Sequence, residues 1–263
     1  MKKSILKKLF TPFERVDSQT LKTVGILQLA TIILVWLYGM PEKTMFPRLG
    51  EIVSAWVELW NHGLFVHIIA SLKLLIIATT IAIIIVSTLA YLSTVPFFKP
   101  ITRGLISLRY NPIVGFTLFF TIATGGGRNL QIALLVIFMG LYFLTSLLSV
   151  VDKIQNDEQG QIDRRKAQGM NRWQILYHVV IKDNLDQLID VIRQNISITL
   201  MMIVAVEAMD KSFGGLGAML VDTTRALNFP KVFALQLTIL AIGILLDYIL
   251  NYIFHLFPAN KKR

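Results

Sequence analysis

Leu74-Leu-Ile-Ile-Ala-Thr-Thr-Ile-Ala-Ile-Ile-Ile-Val-Ser-Thr-Leu-Ala90 carries no charged residue and lies inside an apolar run from about residue 68 to 94. A helix rises about 1.5 Å per residue, so about 20 mainly apolar residues cross the hydrocarbon core of a bilayer. This run is long enough to span, and it is not alone. Comparable runs occupy about 23–40, 103–124, 129–151 and 231–257. A sixth, about 185–209, starts polar and finishes apolar. Composition agrees: the 263 residues are 54% hydrophobic and 16% charged, with mean hydropathy +0.62. That is too apolar for an ordinary soluble domain. The expected fold is all-α, a polytopic membrane protein with about six transmembrane helices.

Charge supplies an orientation, because Lys and Arg favour the cytoplasmic side. With the N-terminus inside, 17 of the 26 basic residues fall on inner segments and six on outer ones. Lys73, Arg109 and Arg193 remain within spans. Both termini are therefore expected in the cytoplasm. The segment 152–183 is expected there too, and so is contact with anionic membrane lipid. The net charge of +10 follows from this topology, without a nucleic-acid partner. The first apolar run follows about twenty residues rich in basic side chains and lacks a small-residue cleavage site, so it reads as a span. The expected organisation is a cytoplasmic N-terminal segment 1–22, a transmembrane domain 23–257 and a basic tail 258–263.

Enzyme signatures are missing. Zero cysteines exclude disulfides, thiolate metal sites and cysteine nucleophiles. The histidines His62, His67, His178 and His255 fall in no metal-ligand pattern, and neither a nucleophile elbow nor a phosphate-binding Gly-Lys loop occurs. No cofactor or metal is expected in this chain. If ATP drives it, another subunit performs the hydrolysis.

The connections carry more information. Ile52, Ala55, Trp56 and Leu59 recur at helical spacing, which predicts a short interfacial helix with Trp at the headgroup level. Gly125-Gly-Gly127 reads as a tight outer turn, and Phe213-Gly-Gly-Leu-Gly217 opens a longer outer loop ending near Pro230. On the inner side, residues 152–183 are far longer than a turn between helices requires. Trp173, Leu176, Tyr177 and Val180 recur at i, i+3, i+4 and i+7, one helical stripe. Gly169 lets two short helices meet at an angle. Spacing alone leaves two readings open: a docking surface for a soluble partner, or an amphipathic helix on the inner leaflet aided by Arg164, Arg165 and Lys166.

At this point the chain resembles the membrane subunits of ABC importers. Their cytoplasmic signature runs Glu-Ala-Ala, three residues, Gly, nine residues, then Ile-x-Leu-Pro. Asp163 takes the Glu position, Gly169 the Gly, Val179 the Ile and Ile181 the Leu. Arg164 and Arg165 stand in place of the two Ala, and Lys182 in place of the Pro. The core from Gly169 to Val180 looks like that of the nitrate/sulfonate/taurine branch. So do Phe46-Pro-Arg-Leu-Gly-Glu-Ile52, Leu108-Arg-Tyr-Asn-Pro112, Gly125-Gly-Gly127, Val206-Glu-Ala208, Gly215-Leu-Gly217 and Leu245-Leu-Asp247, in that order.

The resemblance implies a type I importer permease in the bacterial inner membrane, paired with a second permease copy as a homodimer or paralogous heterodimer. It implies an ABC ATP-binding subunit, where ATP and Mg would be held, and an extracytoplasmic substrate-binding protein that delivers a small solute such as nitrate, a sulfonate or taurine. It also makes Asp163, Arg164, Arg165, Gly169, Trp173, Leu176, Tyr177 and Val180 the coupling helix that seats on the ATPase.

Charges inside spans are expensive and demand an explanation. Arg109 is a pathway candidate, or a structural partner whose stem reaches the headgroups. Asp186, Asp190 and Arg193 share one helical face, with Asp190 and Arg193 close enough to pair. Glu207, beside Gly215 and Gly217, reads as a pathway gate or as support for that loop through backbone hydrogen bonds. Asp247 is expected to face protein. Two rival functions remain: a gradient-driven secondary carrier relaying protons through Glu207, Asp190 and Asp247, and a non-transporting scaffold that recruits a soluble partner.

Overall fold

The computed structural model describes residues 10–12, 16–39, 46–156, 160–182 and 185–256. The tail 258–263 and residues 1–9 of the N-terminal segment lie outside the described residues. Regular structure among the described residues is helical throughout. In chain order the elements are α1 (Ser18–Gly39), α2 (Leu49–Asn61), α3 (Leu64–Leu92), α4 (Lys99–Ile106), α5 (Ile113–Thr124) and α6 (Gly127–Gln155). Then follow α7 (Gln161–Ala167), α8 (Arg172–Ile175), α9 (Leu185–Met209), α10 (Leu216–Arg225) and α11 (Phe229–Leu256). Five helices, α1, α3, α6, α9 and α11, are long and apolar enough to cross a membrane.

The third expected span, 103–124, is not one helix. α4 passes into a 3₁₀ turn, Ser107–Tyr110, and the α4 arm then meets α5 at 112°. Pro112 is the cause. It disfavours helical backbone at the residue before it, and Asn111 is extended, with φ −81° and ψ 137°. The proline itself takes ψ 136° before α5 begins. With this broken pair counted as one, the spans number six.

α6 forms the axis of the bundle and packs against α3, α5 and α9. Leu134, Leu135, Phe138, Met139 and Leu144 of this helix are buried. Facing it, α3 buries Ser71, Leu74, Ala78, Ala82, Val86 and Ala90, mostly four residues apart. Small residues on that stripe let two backbones approach, which is how helices gain packing energy where lipid is as apolar as leucine. Gly140 continues the fit: a β-carbon there would come within 3.3 Å of Val86 Cγ2.

A second layer forms around α11, which packs on α2, α9 and α10. A helix is present where the spacing of Ile52, Ala55, Trp56 and Leu59 predicts one: α2, with Ile52, Ala55 and Leu59 buried against Leu216, Ala234 and Leu235. Trp56 lies half outside this core, and its indole N–H donates to Thr238 Oγ1 at 3.1 Å. α1 contributes little to the core beyond Trp36, whose ring lies 6.3 Å from that of Phe233. Ile26, Leu29, Ile32 and Val35, among its other apolar side chains, are exposed. Such a helix needs lipid or another subunit as its solvent.

The bundle has two distinct ends. At one, Gly125, Gly126 and Gly127 all take positive φ to turn α5 into α6, which explains a run of three glycines. That loop end also carries α10, a helix inside what the sequence suggested was open loop. The other end, rich in basic side chains, carries the α3–α4 turn, α7 and α8.

Candidate functional site

At the basic end, α7 closes on Gly169 in a left-handed conformation, φ +79°. The Gly169 N–H donates to the Lys166 carbonyl at 2.9 Å and the Met170 N–H to the Arg165 carbonyl at 3.2 Å. This is a Schellman closure, and glycine is the residue that enters it without strain. The next helix starts at Asn171, whose N–H donates to Gln174 Oε1 at 2.9 Å. α8 then widens into a π-helix, Leu176–Lys182. The expected pair of short helices about Gly169 is therefore present.

The expected apolar stripe is not. Trp173 and Tyr177 are 62% and 57% exposed, Leu176 is half-buried, and Val180 is buried. The inward face is instead Ile175, Val179 and Val180, packed against Val151 and Ile154 of α6. Val180, five residues after Ile175, joins the inward face in the π-helix, which bonds i to i+5. Trp173 and Tyr177 are a turn apart from each other and lie about 200° around the axis from Ile175 and Val179. Two aromatic rings are thereby turned outward. Asp163 pairs with Lys166 at 2.8 Å, Arg164 is exposed and Arg165 half-buried. A recess of about 540 Å³ opens beside them, lined by Val95, Pro96, Gln155, Lys166, Trp173 and Leu176.

At the loop end, three helices converge on one carboxylate. Glu207, near the end of α9, is fully buried. Ser71 of α3 donates to both its oxygens, at 2.8 and 2.9 Å, and the Gly217 N–H donates to Oε2 at 2.9 Å. The Leu216 N–H donates to Ser71 Oγ at 2.9 Å, and the Gly215 N–H to His67 Nδ1 at 3.0 Å. Three successive amides at the start of α10 thus find side-chain acceptors, the usual shortage at a helix N-terminus. The carboxylate also complements the positive end of the α10 dipole.

Gly215 and Gly217 are required by the closeness of this packing. A β-carbon at Gly215, where φ is +111°, would run into the Glu207 carboxylate; one at Gly217 would meet the Val204 carbonyl oxygen. Beside the carboxylate, Arg128 donates to Gln131 Oε1 at 2.9 Å and to the Ala70 carbonyl at 2.8 Å, and Gln131 donates to the Asp210 carbonyl at 2.7 Å. Burial pushes the Asp210 carboxyl up. The Ser212 hydroxyl and amide and the Gly127 amide together outweigh it and hold the group below the ordinary carboxylate range.

The remaining charged candidates are dispersed. Arg109 lies on the 3₁₀ turn, donating to Thr145 Oγ1 at 3.3 Å and to its neighbour Tyr110 at 3.0 Å. Asp190 and Arg193 do not pair, although their spacing allows it. Arg193 reaches across to Asn251 Oδ1 at 3.2 Å on α11. Asp247, expected to face protein, is exposed in the single chain. Sequence reasoning missed His67 and Ser71 as partners of the α10 loop. Their i, i+4 spacing on α3 was the available signal, since it puts both on one face.

Residues 89–256 match the family model for the binding-protein-dependent transport system inner membrane component. The match runs from the last turn of α3 through α11, so it takes in the basic segment, Glu207 and α10. No curated protein matches the chain.

Proposed function

We propose a function from one premise: the chain belongs to the family of binding-protein-dependent transport system inner membrane components, the permease subunits of ABC importers. It is a transporter component rather than a catalytic enzyme, and its family works with a substrate-binding protein and an ATPase. On that basis the chain forms half of a translocation pathway, with a second permease copy supplying the other half. It sits in the bacterial inner membrane with both termini in the cytoplasm, and it carries a small solute of the nitrate, sulfonate or taurine kind.

The observation that carries the coupling assignment is the build of residues 160–182. Ile175, Val179 and Val180 anchor the segment to α6, while Trp173 and Tyr177 project from it, and Arg164 and Arg172 are exposed as well. An anchored base with aromatic and Arg tips is the composition of a protein-binding hot spot. A helix lying on lipid would turn its aromatic and aliphatic groups to one side; here they are on opposite sides. ATP-driven movement of the ATPase would then pass through the buried anchor into α6, the axis of the bundle.

Co-purification with the cognate ATPase, followed by uptake stimulated by the binding protein in proteoliposomes, tests this directly. Gly169→Pro places a ring that fixes φ near −65° where φ is +79°, and Trp173→Ala removes an exposed tip. Both variants are expected to lose ATPase association and coupled uptake. Full retention of both properties in both variants sinks the coupling assignment.

A further inference from the structure

The elbow between α4 and α5 leaves one arginine unmatched. Arg103 and Arg109 both reach α6, Arg103 to Asp152 Oδ1 at 3.4 Å and Arg109 to Thr145 Oγ1 at 3.3 Å. Thr145, Ser149 and Asp152 stand at i, i+4 and i+7, one face of α6, and span about 10 Å of its length at 1.5 Å per residue. Ser149, between the two contacts, is exposed. Asp152 matches the charge of Arg103. Arg109 meets only neutral groups among the described residues. These are Thr145 and Tyr110, whose hydroxyl accepts at 3.0 Å and whose ring centre lies 5.0 Å from the guanidinium carbon. The niche is left with a net positive charge.

An apolar cleft of about 330 Å³ opens beside this niche, between the broken pair and helices α3 and α6. Its walls include Ile85 of α3, Leu108 of the 3₁₀ turn, Phe116 and Phe120 of α5, and Leu144 of α6. No polar side chain of the described residues lines it. Leu108 and Leu144 are the chain neighbours of Arg109 and Thr145, so the cleft begins at the niche. From Leu144 it follows α6 to Val136, about 12 Å toward the loop end. Ile85 and Leu108 are 45% and 39% exposed, which leaves the cleft open at its side. A cation near the basic face, with a hydrocarbon slot running from it into the bundle, matches the order of groups in a phospholipid.

We propose that the elbow binds one anionic glycerophospholipid from the leaflet at the basic end, its phosphate on Arg109 and Ser149 and one acyl chain in the cleft. A guanidinium offers paired donors that fit phosphate oxygens, and basic pockets between spans suit anionic headgroups. Net charge selects the lipid. Phosphatidylglycerol brings one uncompensated negative charge, whereas phosphatidylcholine carries its own cation into a niche that is already positive. The acyl chain fills the space that the break at Pro112 opens and braces the elbow against α6. The site depends on the placement of the chain in a membrane and not on what it transports.

The test uses the assembled transporter in phosphatidylcholine nanodiscs. These carry a trace of phosphatidylglycerol with a diazirine midway along one acyl chain. After irradiation, cross-linked peptides are expected from residues 116–120 of α5 and from the stretch of α3 around Ile85. Their yield is expected to be about five times that of the matching phosphatidylcholine probe, the effect of one arginine near an anionic headgroup. Arg109→Gln keeps a donor for Thr145 and is expected to remove the preference, which Arg109→Lys keeps. Ser149→Asp, at an exposed position, sets a carboxylate between the arginines and is expected to remove it as well.

Equal yields from the two probes on the unaltered protein overturn the proposal. A preference that survives either Arg109→Gln or Ser149→Asp in folded protein does the same. Cross-links confined to other faces would mean that a second copy fills the cleft, which also overturns it. Suppression of the cross-link by millimolar nitrate or ethanesulfonate would give the niche to a soluble anion instead. Thermal unfolding separates binding from folding. Phosphatidylglycerol is expected to raise the midpoint above that in phosphatidylcholine, and in Arg109→Gln the two midpoints are expected to coincide.

Discussion

Glu207 shows what a buried charge can do without touching a solute. A carboxylate inside a span is costly, and this one is met by two donors, the Ser71 hydroxyl and the Gly217 amide, and by the nearby positive charge of Arg128. The result ties α3, α9 and α10 together at one point. Glu207→Ala would strand the Gly217 amide in a buried site, at about 1–3 kcal/mol for the unsatisfied group. A lowered unfolding midpoint in detergent is the expected result, with Glu207→Gln in between because one acceptor oxygen survives. Unchanged midpoints for both variants would rule out the clasp. From sequence, Glu207 was legible as an intramembrane charge near a glycine-rich loop, with gating and loop support both open. The hydrogen bonds support the loop. A gating role is a separate proposal, and uptake per folded molecule in Glu207→Gln is its test. Ser71 and His67 were legible only as a spacing, because a pattern cannot say which distant loop a face will meet.

At the scale of elements, apolar length, the glycines and the phase of α2 read correctly, while the break in the third run and the faces of the basic segment did not. The spans at α3, α6, α9 and α11 follow from apolar length alone. Their register is set by packing, as when Ala78 and Ala82 turn toward α6. The third run failed as a single helix because hydropathy is blind to backbone: Pro112 is apolar enough to continue the run and unable to continue the helix. The basic segment failed more subtly. Its two helices and the Gly169 break were visible, but the four stripe residues do not share one environment: Trp173 and Tyr177 face out, while Val180 joins Ile175 and Val179 on the inward face through the π-helix. That division of faces makes a prediction with opposite signs for neighbouring residues. Val179→Ala removes two fully buried methyl groups and is expected to destabilise by about 1–2 kcal/mol. Tyr177→Ala should leave the unfolding midpoint unchanged while weakening ATPase association. Thermal unfolding and pull-down measured on both variants check it. A lowered midpoint for Tyr177→Ala with ATPase association intact would count against this division of faces.

For the molecule as a whole, the chain alone leaves too much apolar surface uncovered to be its own finished product. α1 buries almost nothing, and the exposed side chains of α3, α5 and α11 include Ile76, Ile84, Phe119, Ile122, Leu240 and Ile244. Lipid or another subunit satisfies these side chains, so the surface of the single chain is completed from outside. The two ends differ in charge. Residues 152–183 gather Lys153, Arg164, Arg165, Lys166, Arg172 and Lys182 at one end, while the loop end sets Lys211 against Asp222 and Lys231 against Glu58. The Lys231 ammonium draws the exposed Glu58 carboxyl below its usual range. Positive charge retained on one side of a bilayer fixes which side is cytoplasmic. Gln168→Cys and Arg225→Cys, both exposed and at opposite ends, report this directly in a chain without cysteine. In intact right-side-out spheroplasts an impermeant maleimide is expected to label Arg225→Cys and to spare Gln168→Cys until the membrane is opened. The reverse pattern would put residues 160–182 outside the cell, where no ATPase could reach Trp173, and the coupling assignment would fall with the topology.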